Sequence, residues 1–375
     1  MSNETHVLHD LKLENRNRIY NAILRNGSVS RQDLVYELKL SLPTITQNLN
    51  ILLEQNLITE SGSFGHTGGR RAKAYSICEQ ARVAIGLDIS KNHITVVVIN
   101  LTCQIIYRKR IRFPFQKDDT YLQKLGALVN EAIETIHVTP EQIQGVGIVV
   151  PGLITRDGQK IFYGEILHFT GMTCNEFSKY ISYPCRLFND ADAAGYAEAY
   201  MNKDISDSFY ISLSNNIGGS IIIDGKVYKG EGPRSGEVGH ITIVPNGRKC
   251  YCGQYGCFET YCNAALLSDY TNGNLEEFFL DLQNGNLEYQ QVWNEYLHFL
   301  SIAVNNVRML FDCQIILGGY VGAYIEPYMD TLRQLVAQRN SFEDNADFLH
   351  ICKVKQDALA VGGALPFIHD FIKNI

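Results

Sequence analysis

The sequence predicts an α/β protein in two parts: a small helical module ending in a basic hairpin, and a large body in which strands and helices alternate. Three observations support this. Apolar residues recur at helical spacing between positions 15 and 53, and a Gly-rich tip bearing arginines follows them. Short apolar strand-like runs begin at Val83 and alternate with helical patterns to the end of the chain. Within the body, residues 239–259 read GHITIVPNGRKCYCGQYGCFE, one His and three Cys in a segment broken by glycines.

In the first module, Ile19, Ala22, Ile23 and Leu24 mark a helix over Asn15–Arg25 that Asn26-Gly27 stops. Ser30 caps a second helix with Leu34, Val35 and Leu38 inward, and Ser41 or Pro43 opens a third. The apolar set of that third helix is Ile45, Leu49, Leu52 and Leu53. Thr44, Thr46, Gln47 and Asn50 are left toward the other face, short uncharged side chains suited to base edges in a major groove. Leu57-Ile58 then leads into two strands joined by a tip with Arg70 and Arg71, which can enter a narrow minor groove. Helix, capped helix, polar-faced helix and basic hairpin together predict a winged helix-turn-helix DNA-binding domain over residues 1–78.

The body, residues 79–375, opens with three strands, VAIGLDIS, HITVVVINL and QIIYRKRIRF, then a helix over about 121–137 and the strand GVGIVVPG. CRLFND runs as a strand into the helix ADAAGYAEAYM. SFYISLS and GSIIIDGKVY are strands on either side of a turn. A long helix over about 292–311, the strand QIILGG, a helix, the strand FLHICKV and a last helix through ALAVGGALPFIHDFI complete the alternation. In the 239–259 segment, His240, Cys250, Cys252 and Cys257 supply four ligands of the kind a structural Zn2+ takes, and the glycines let the backbone turn around the ion. Glu237 and Glu259 flank this knuckle, positioned to address a ligand.

Composition is that of a soluble globular protein, with 45% hydrophobic residues, 375 residues and a formal charge of −7. The first residues lack a signal-peptide core and no run of about eighteen apolar residues occurs, so a cytoplasmic protein without membrane attachment is expected. The seven cysteines outside the knuckle show no pairing rhythm, in keeping with reduced thiols. Residues 1–80 hold nine Lys/Arg against eight Asp/Glu, so the negative charge resides in the body. A neutral-to-basic module ahead of an acidic one implies different partners for the two.

The segment 239–259 matches Gly-His-x6-Gly-x2-Cys-x-Cys-Gly-x2-Gly-Cys-x-Glu at every fixed position. With VVPGLI at 149–154, FNDADAAG at 188–195, GGSIIIDGKVYKGEGPRSGEVGH at 218–240 and ILGGYVG at 316–322, the chain resembles the ROK family of repressors and sugar kinases over nearly its full length. The winged module resembles that of the family's xylose and N-acetylglucosamine repressors. The resemblance implies a two-lobed actin-like, hexokinase-like ATPase fold for the body. It also implies a sugar held in the cleft by Asn189, Asp190, Glu237, His240 and Glu259, with His240 giving one ring nitrogen to zinc and the other to a hydroxyl. Gly152 is placed to let backbone approach that ligand.

Each of these residues has a plainer use. Asp190 can cap a helix, Glu237 and Glu259 can be solvated loop acids, His240 can be purely structural, and Gly152 can serve a tight turn. The resemblance further implies two phosphate loops, Asp-x-Gly-x-Thr and Gly-Thr-Gly-Ile-Gly. Here they read Asp88-Ile89-Ser90-Lys91-Asn92 and Ser214-Asn215-Asn216-Ile217-Gly218, and side chains at Ser90 and Asn216 are expected to crowd a phosphate. Asp190 keeps the position of the kinase base. The expectation is a sugar-responsive repressor without enzymatic activity. It would be a homodimer or homotetramer on a pseudo-palindromic double-stranded operator. An active ATP-dependent sugar kinase carrying a DNA-binding module is the alternative, and a body that binds a sugar-transport protein is a third reading.

Overall fold

A computed structural model of the chain describes residues 2–64, 72–202, 205–355 and 357–375. Helix α1 (Ser2–Asn26) begins thirteen residues before the expected start and ends at Gly27, whose φ of +74° suits a residue without a Cβ. After β1 (Val29–Ser30), Ser30 caps α2 (Arg31–Leu38) reciprocally. The Asp33 N–H donates to Ser30 Oγ at 3.2 Å and the Ser30 N–H to Asp33 Oδ2 at 2.9 Å. Ser41 caps α3 (Leu42–Glu54), with Pro43 in its first turn. Strands β2 (Ile58–Phe64) and β3 (Ala72–Ile77) complete an antiparallel sheet in the order β1-β3-β2. Arg70 and Arg71 lie outside the described residues.

Two lobes follow. The first contains β4 (Val83–Ile89), β5 (His93–Asn100), β6 (Ile105–Arg112), α4 (Asp119–Ile136), β7 (Ile143–Val150), the hairpin β8 (Leu153–Ile154) and β9 (Ile161–Tyr163), α5 (Cys174–Phe177) and β10 (Cys185–Asn189). Its sheet order is β10-β7-β4-β5-β6, parallel across β10, β7 and β4 and antiparallel onward. Helix α6 (Asp190–Met201) leads into the second lobe, with β11 (Ser208–Leu213), β12 (Ile217–Ile223), β13 (Lys226–Val227), α7 (Glu259–Cys262), α8 (Ala265–Ser268), α9 (Leu275–Gln283) and α10 (Leu287–Phe311). It continues through β14 (Gln314–Gly318), α11 (Gly319–Gly322), α12 (Met329–Ala337), β15 (Leu349–Ile351) and α13 (Ala358–Lys373). The order β13-β12-β11-β14-β15 repeats the first sheet's pattern, an antiparallel meander flanked by two parallel strands. The turns β4–β5 and β11–β12 are therefore equivalent, and they carry the two segments matched to phosphate loops.

Helices α6 and α13 run between the sheets. A Cβ on Gly362 of α13 would come within 1.8 Å of the Ala193 carbonyl oxygen on α6, and one on Gly86 of β4 within 1.8 Å of the Ala360 oxygen, so the backbones meet directly at both places. One apolar cluster joins the first module to these helices. Ile19, Tyr20, Leu34 and Leu49 belong to it together with Ala197 of α6 and Ala360 and Ile368 of α13, and Tyr196 and Tyr200 pack against it. Asn17 Nδ2 also donates to the Lys373 carbonyl at 2.8 Å. Among the described residues no helix is long and apolar enough to cross a membrane.

Candidate functional site

The knuckle folds as its residue types demand. Bridges Thr242–Cys257 and Lys249–Tyr255 close it, and Gly253 (φ +91°) and Gly256 (φ +77°) take the left-handed turns. Outside it, the Arg248 N–H donates to Tyr261 Oη at 2.9 Å and the Arg248 guanidinium stacks over that ring at 4.6 Å. The ligand atoms of His240, Cys250, Cys252 and Cys257 all lie within 4.8 Å of one another. His240 Nδ1 is 3.7 Å from Cys250 Sγ, and Cys252 Sγ is 3.8 Å from Cys257 Sγ. A tetrahedron with metal–sulfur bonds of about 2.3 Å has edges of about 3.8 Å, so the donor set fits a zinc ion. Burial, with Cys252 and Cys250 close by, raises the Cys257 thiol, the direction that a bound cation would reverse.

Of the residues implied to hold a sugar, Asn189 and Asp190 open α6, Glu237 and His240 lie on the turn at 237–240, and Glu259 opens α7. Asn189, not Asp190, is the cap: its Oδ1 accepts from the Asp192 N–H at 3.0 Å while its Nδ2 donates to the Gly152 carbonyl at 3.0 Å. Asp190 occupies the first helical position and accepts the Ala191 N–H at 2.9 Å. Gly152 makes a close approach rather than a left-handed turn, since a Cβ there would lie 2.9 Å from the Tyr163 carbonyl oxygen. Glu259 is buried. Its Oε2 accepts the Ile217 N–H at 2.6 Å and its Oε1 the Asn216 amide at 3.4 Å. Asn216 is thus engaged with the knuckle.

Carboxyls in this cleft are held partly neutral. Burial raises Asp190 to about 6 and Glu237 to about 7, with Asp190 and Asp192 adding like charge to Glu237. Burial raises Asp88, Glu259 and Asp192 as well, to about 7, about 7 and about 6, and Asp190 adds like charge to each. A carboxyl that is part acid and part carboxylate both donates and accepts, which matches the paired donor and acceptor character of sugar hydroxyls. Asp192, Lys229 and Tyr251 are contributors that the sequence reading missed. Asp192 was legible as the second acid of the 190–192 turn, whereas Lys229 and Tyr251 carry no motif. Between Asn189, Asp192, Lys229 and Glu237 lies a space of about 20 Å3, about the room of one water molecule, so a pyranose requires these walls to part.

Each of the two turns matched to phosphate loops bonds one of its amides to protein. The Ser90 N–H donates to the His93 carbonyl at 3.0 Å and the His93 N–H to Ser90 Oγ at 3.2 Å. In the second turn the Ile217 N–H goes to Glu259, and Ser214 Oγ accepts the Tyr320 N–H at 3.3 Å.

On the first module, Gln47 and Asn50 of α3 are exposed, and Thr44 and Thr46 are half-buried. Thr44 also bonds Ser41 Oγ at 2.8 Å at the helix start. Tyr36 of α2, 89% exposed, is an unforeseen surface aromatic of the same module.

The ROK family model matches residues 84–370. The xylose repressor of Caldicellulosiruptor bescii is 24% identical over 387 residues, covering 96% of this chain and 97% of that one. Among solved structures, a ROK family transcriptional regulator described as a homolog of the E. coli MLC protein superposes with a TM-score of 0.76 at 22% identity, over 97% of both chains. A ROK hexokinase from Thermus thermophilus superposes with a TM-score of 0.64 at 24% identity, over 78% of this chain and 100% of that one. The hexokinase thus leaves about a fifth of this chain unmatched.

Proposed function

As the chain belongs to the ROK family, we propose that it is a sugar-responsive DNA-binding repressor whose kinase-like body senses a sugar without phosphorylating it. The observation that carries this reading is the contrast within one cleft. The carboxyls and imidazole suited to a polyol are grouped on α6 and the knuckle, while the turns that would hold nucleotide phosphates carry Ser90 and Asn216 where the matched loops have glycine, and the Asn216 amide is bonded to Glu259. Near-full-length likeness to a xylose repressor supports the same reading.

In this proposal residues 1–78 are a winged helix-turn-helix that presents Thr44, Thr46, Gln47 and Asn50 to a major groove and Arg70 and Arg71 to the flanking backbone or minor groove. A dimer would set two such helices on a pseudo-palindromic operator. His240, Cys250, Cys252 and Cys257 would hold zinc, which fixes the ring of His240 and the position of Glu259 beside the sugar. Asn189, Asp190, Glu237, His240 and Glu259 would grip hydroxyls, and Gly152 would shape the wall behind Asn189.

Helix α6 offers the route from site to module. Its capped N-terminus is part of the cleft, and Ala197, Tyr196 and Tyr200 farther along it join the apolar cluster that includes Tyr20 of α1. A sugar that requires the cleft walls to part shifts α6 against that cluster, and it favours the DNA-free arrangement by its differential affinity.

A thermal-shift screen over common aldoses, with and without magnesium ATP, tests this function. The reading expects one sugar class to raise Tm and ATP to add nothing. ADP release in the presence of that sugar would favour the kinase alternative instead.

A further inference from the structure

Tyr251 sits between two cysteines of the knuckle, and its hydroxyl lies 3.2 Å from His240 Nε2, the two rings meeting edge to face at 75° with centroids 5.2 Å apart. His240 Nδ1 faces Cys250 Sγ at 3.7 Å, and with zinc on Nδ1 the hydrogen would sit on Nε2, which would then donate to the tyrosine oxygen. Nε2 is the ring nitrogen that the proposed sugar site needs for a hydroxyl. In this structure a phenol hydroxyl holds it.

We infer that Tyr251 is a gate on the sugar subsite at His240, its hydroxyl standing in for a sugar hydroxyl until the ligand displaces it. This rests on the sugar-sensing reading of the cleft. The backbone of residue 251 is pinned by Cys250 and Cys252, but the side chain is 55% exposed, so rotation about its own bonds frees Nε2 without disturbing the ligands. A competing neutral hydrogen bond lowers the fraction of molecules ready for sugar, and the apparent affinity falls by that fraction.

The gate differs from a residue that merely orients His240. An orienting partner, once lost, loosens both metal and ligand. Losing a gate leaves the metal in place and tightens the ligand. The experiment is isothermal titration of the zinc-loaded full chain and its Tyr251→Phe variant with D-xylose, D-glucose and N-acetylglucosamine, alongside zinc content per chain. The gate predicts an unchanged zinc content and a sugar affinity raised about threefold to tenfold. Equal or weaker affinity in the variant, with wild type binding sugar, overturns the gate and leaves the sugar site standing. No binding of any of these sugars by either protein overturns the sugar reading and the gate with it.

Discussion

Glu259 Oε2 accepts a 2.6 Å hydrogen bond from the Ile217 backbone N–H, joining the start of the helix behind the metal knuckle to the turn where a kinase would seat phosphate. One carboxylate therefore ties α7 to the turn between β11 and β12. Glu259→Ala leaves a buried N–H unpaired and is expected to cost about 1–3 kcal/mol in urea unfolding. Glu259→Gln keeps an acceptor and should unfold near the wild-type midpoint. Equal stability of the alanine variant would show that the bond carries nothing.

Asp88 gives a pH signature. Burial, with Asp190 and Asp357 adding like charge, raises its pKa from 3.8 to about 7. The folded chain thus keeps a proton that the unfolded chain releases, and this group's contribution is present at acid pH and lost as pH rises through about 7. Asp88→Asn removes that loss. The Tm of the variant relative to wild type should increase between about pH 5.5 and about pH 8, and a constant difference would contradict the assignment.

Zinc removal should act on fold and ligand together. The account expects one zinc per chain by metal analysis. Cys252→Ser, or a strong chelator, should lower Tm and abolish the sugar-induced shift, because the ion's binding free energy is folding free energy for the knuckle. Retention of both metal and sugar response in Cys252→Ser would refute the ligand set.

The exposed face of α3 makes a separable prediction. Gln47→Ala and Asn50→Ala should each weaken binding to the preferred DNA site by about 1–3 kcal/mol, provided each reads a base edge. Neither should move Tm, because both side chains are exposed. Arg70→Ala and Arg71→Ala should weaken binding to all sequences and reduce its salt slope by about one each.

Much of this was legible before any coordinates because the signals were local. Ser30 with Asp33, Ser41 with Pro43, and Asn26-Gly27 mark helix ends by chemistry confined to one turn, and the knuckle's ligands fall within eighteen residues. What was missed depends on contacts distant in sequence or on choices between neighbours. Asn189 and Asp190 are both good caps, and only the geometry at Gly152 decides for Asn189. Asn216 bonds Glu259 from 43 positions away, a partner that its sequence position does not announce. Tyr251 occupies a variable position of the cysteine motif, and its bond to His240 exists only once the knuckle has closed. Helix α9, capped by Asn274 with Glu277 in its first turn, carried a start signal that the reading passed over.

The central claim is that one chain couples a sugar in the cleft to release of DNA. Fluorescence anisotropy of a DNA site selected by the full-length protein from a random-sequence pool, titrated in the presence of each sugar that raises Tm, measures this directly. The account predicts that at least one such sugar weakens DNA binding tenfold or more, about 1.4 kcal/mol of coupling, and that magnesium ATP adds no further change. DNA affinity unaltered by every sugar that binds would contradict it.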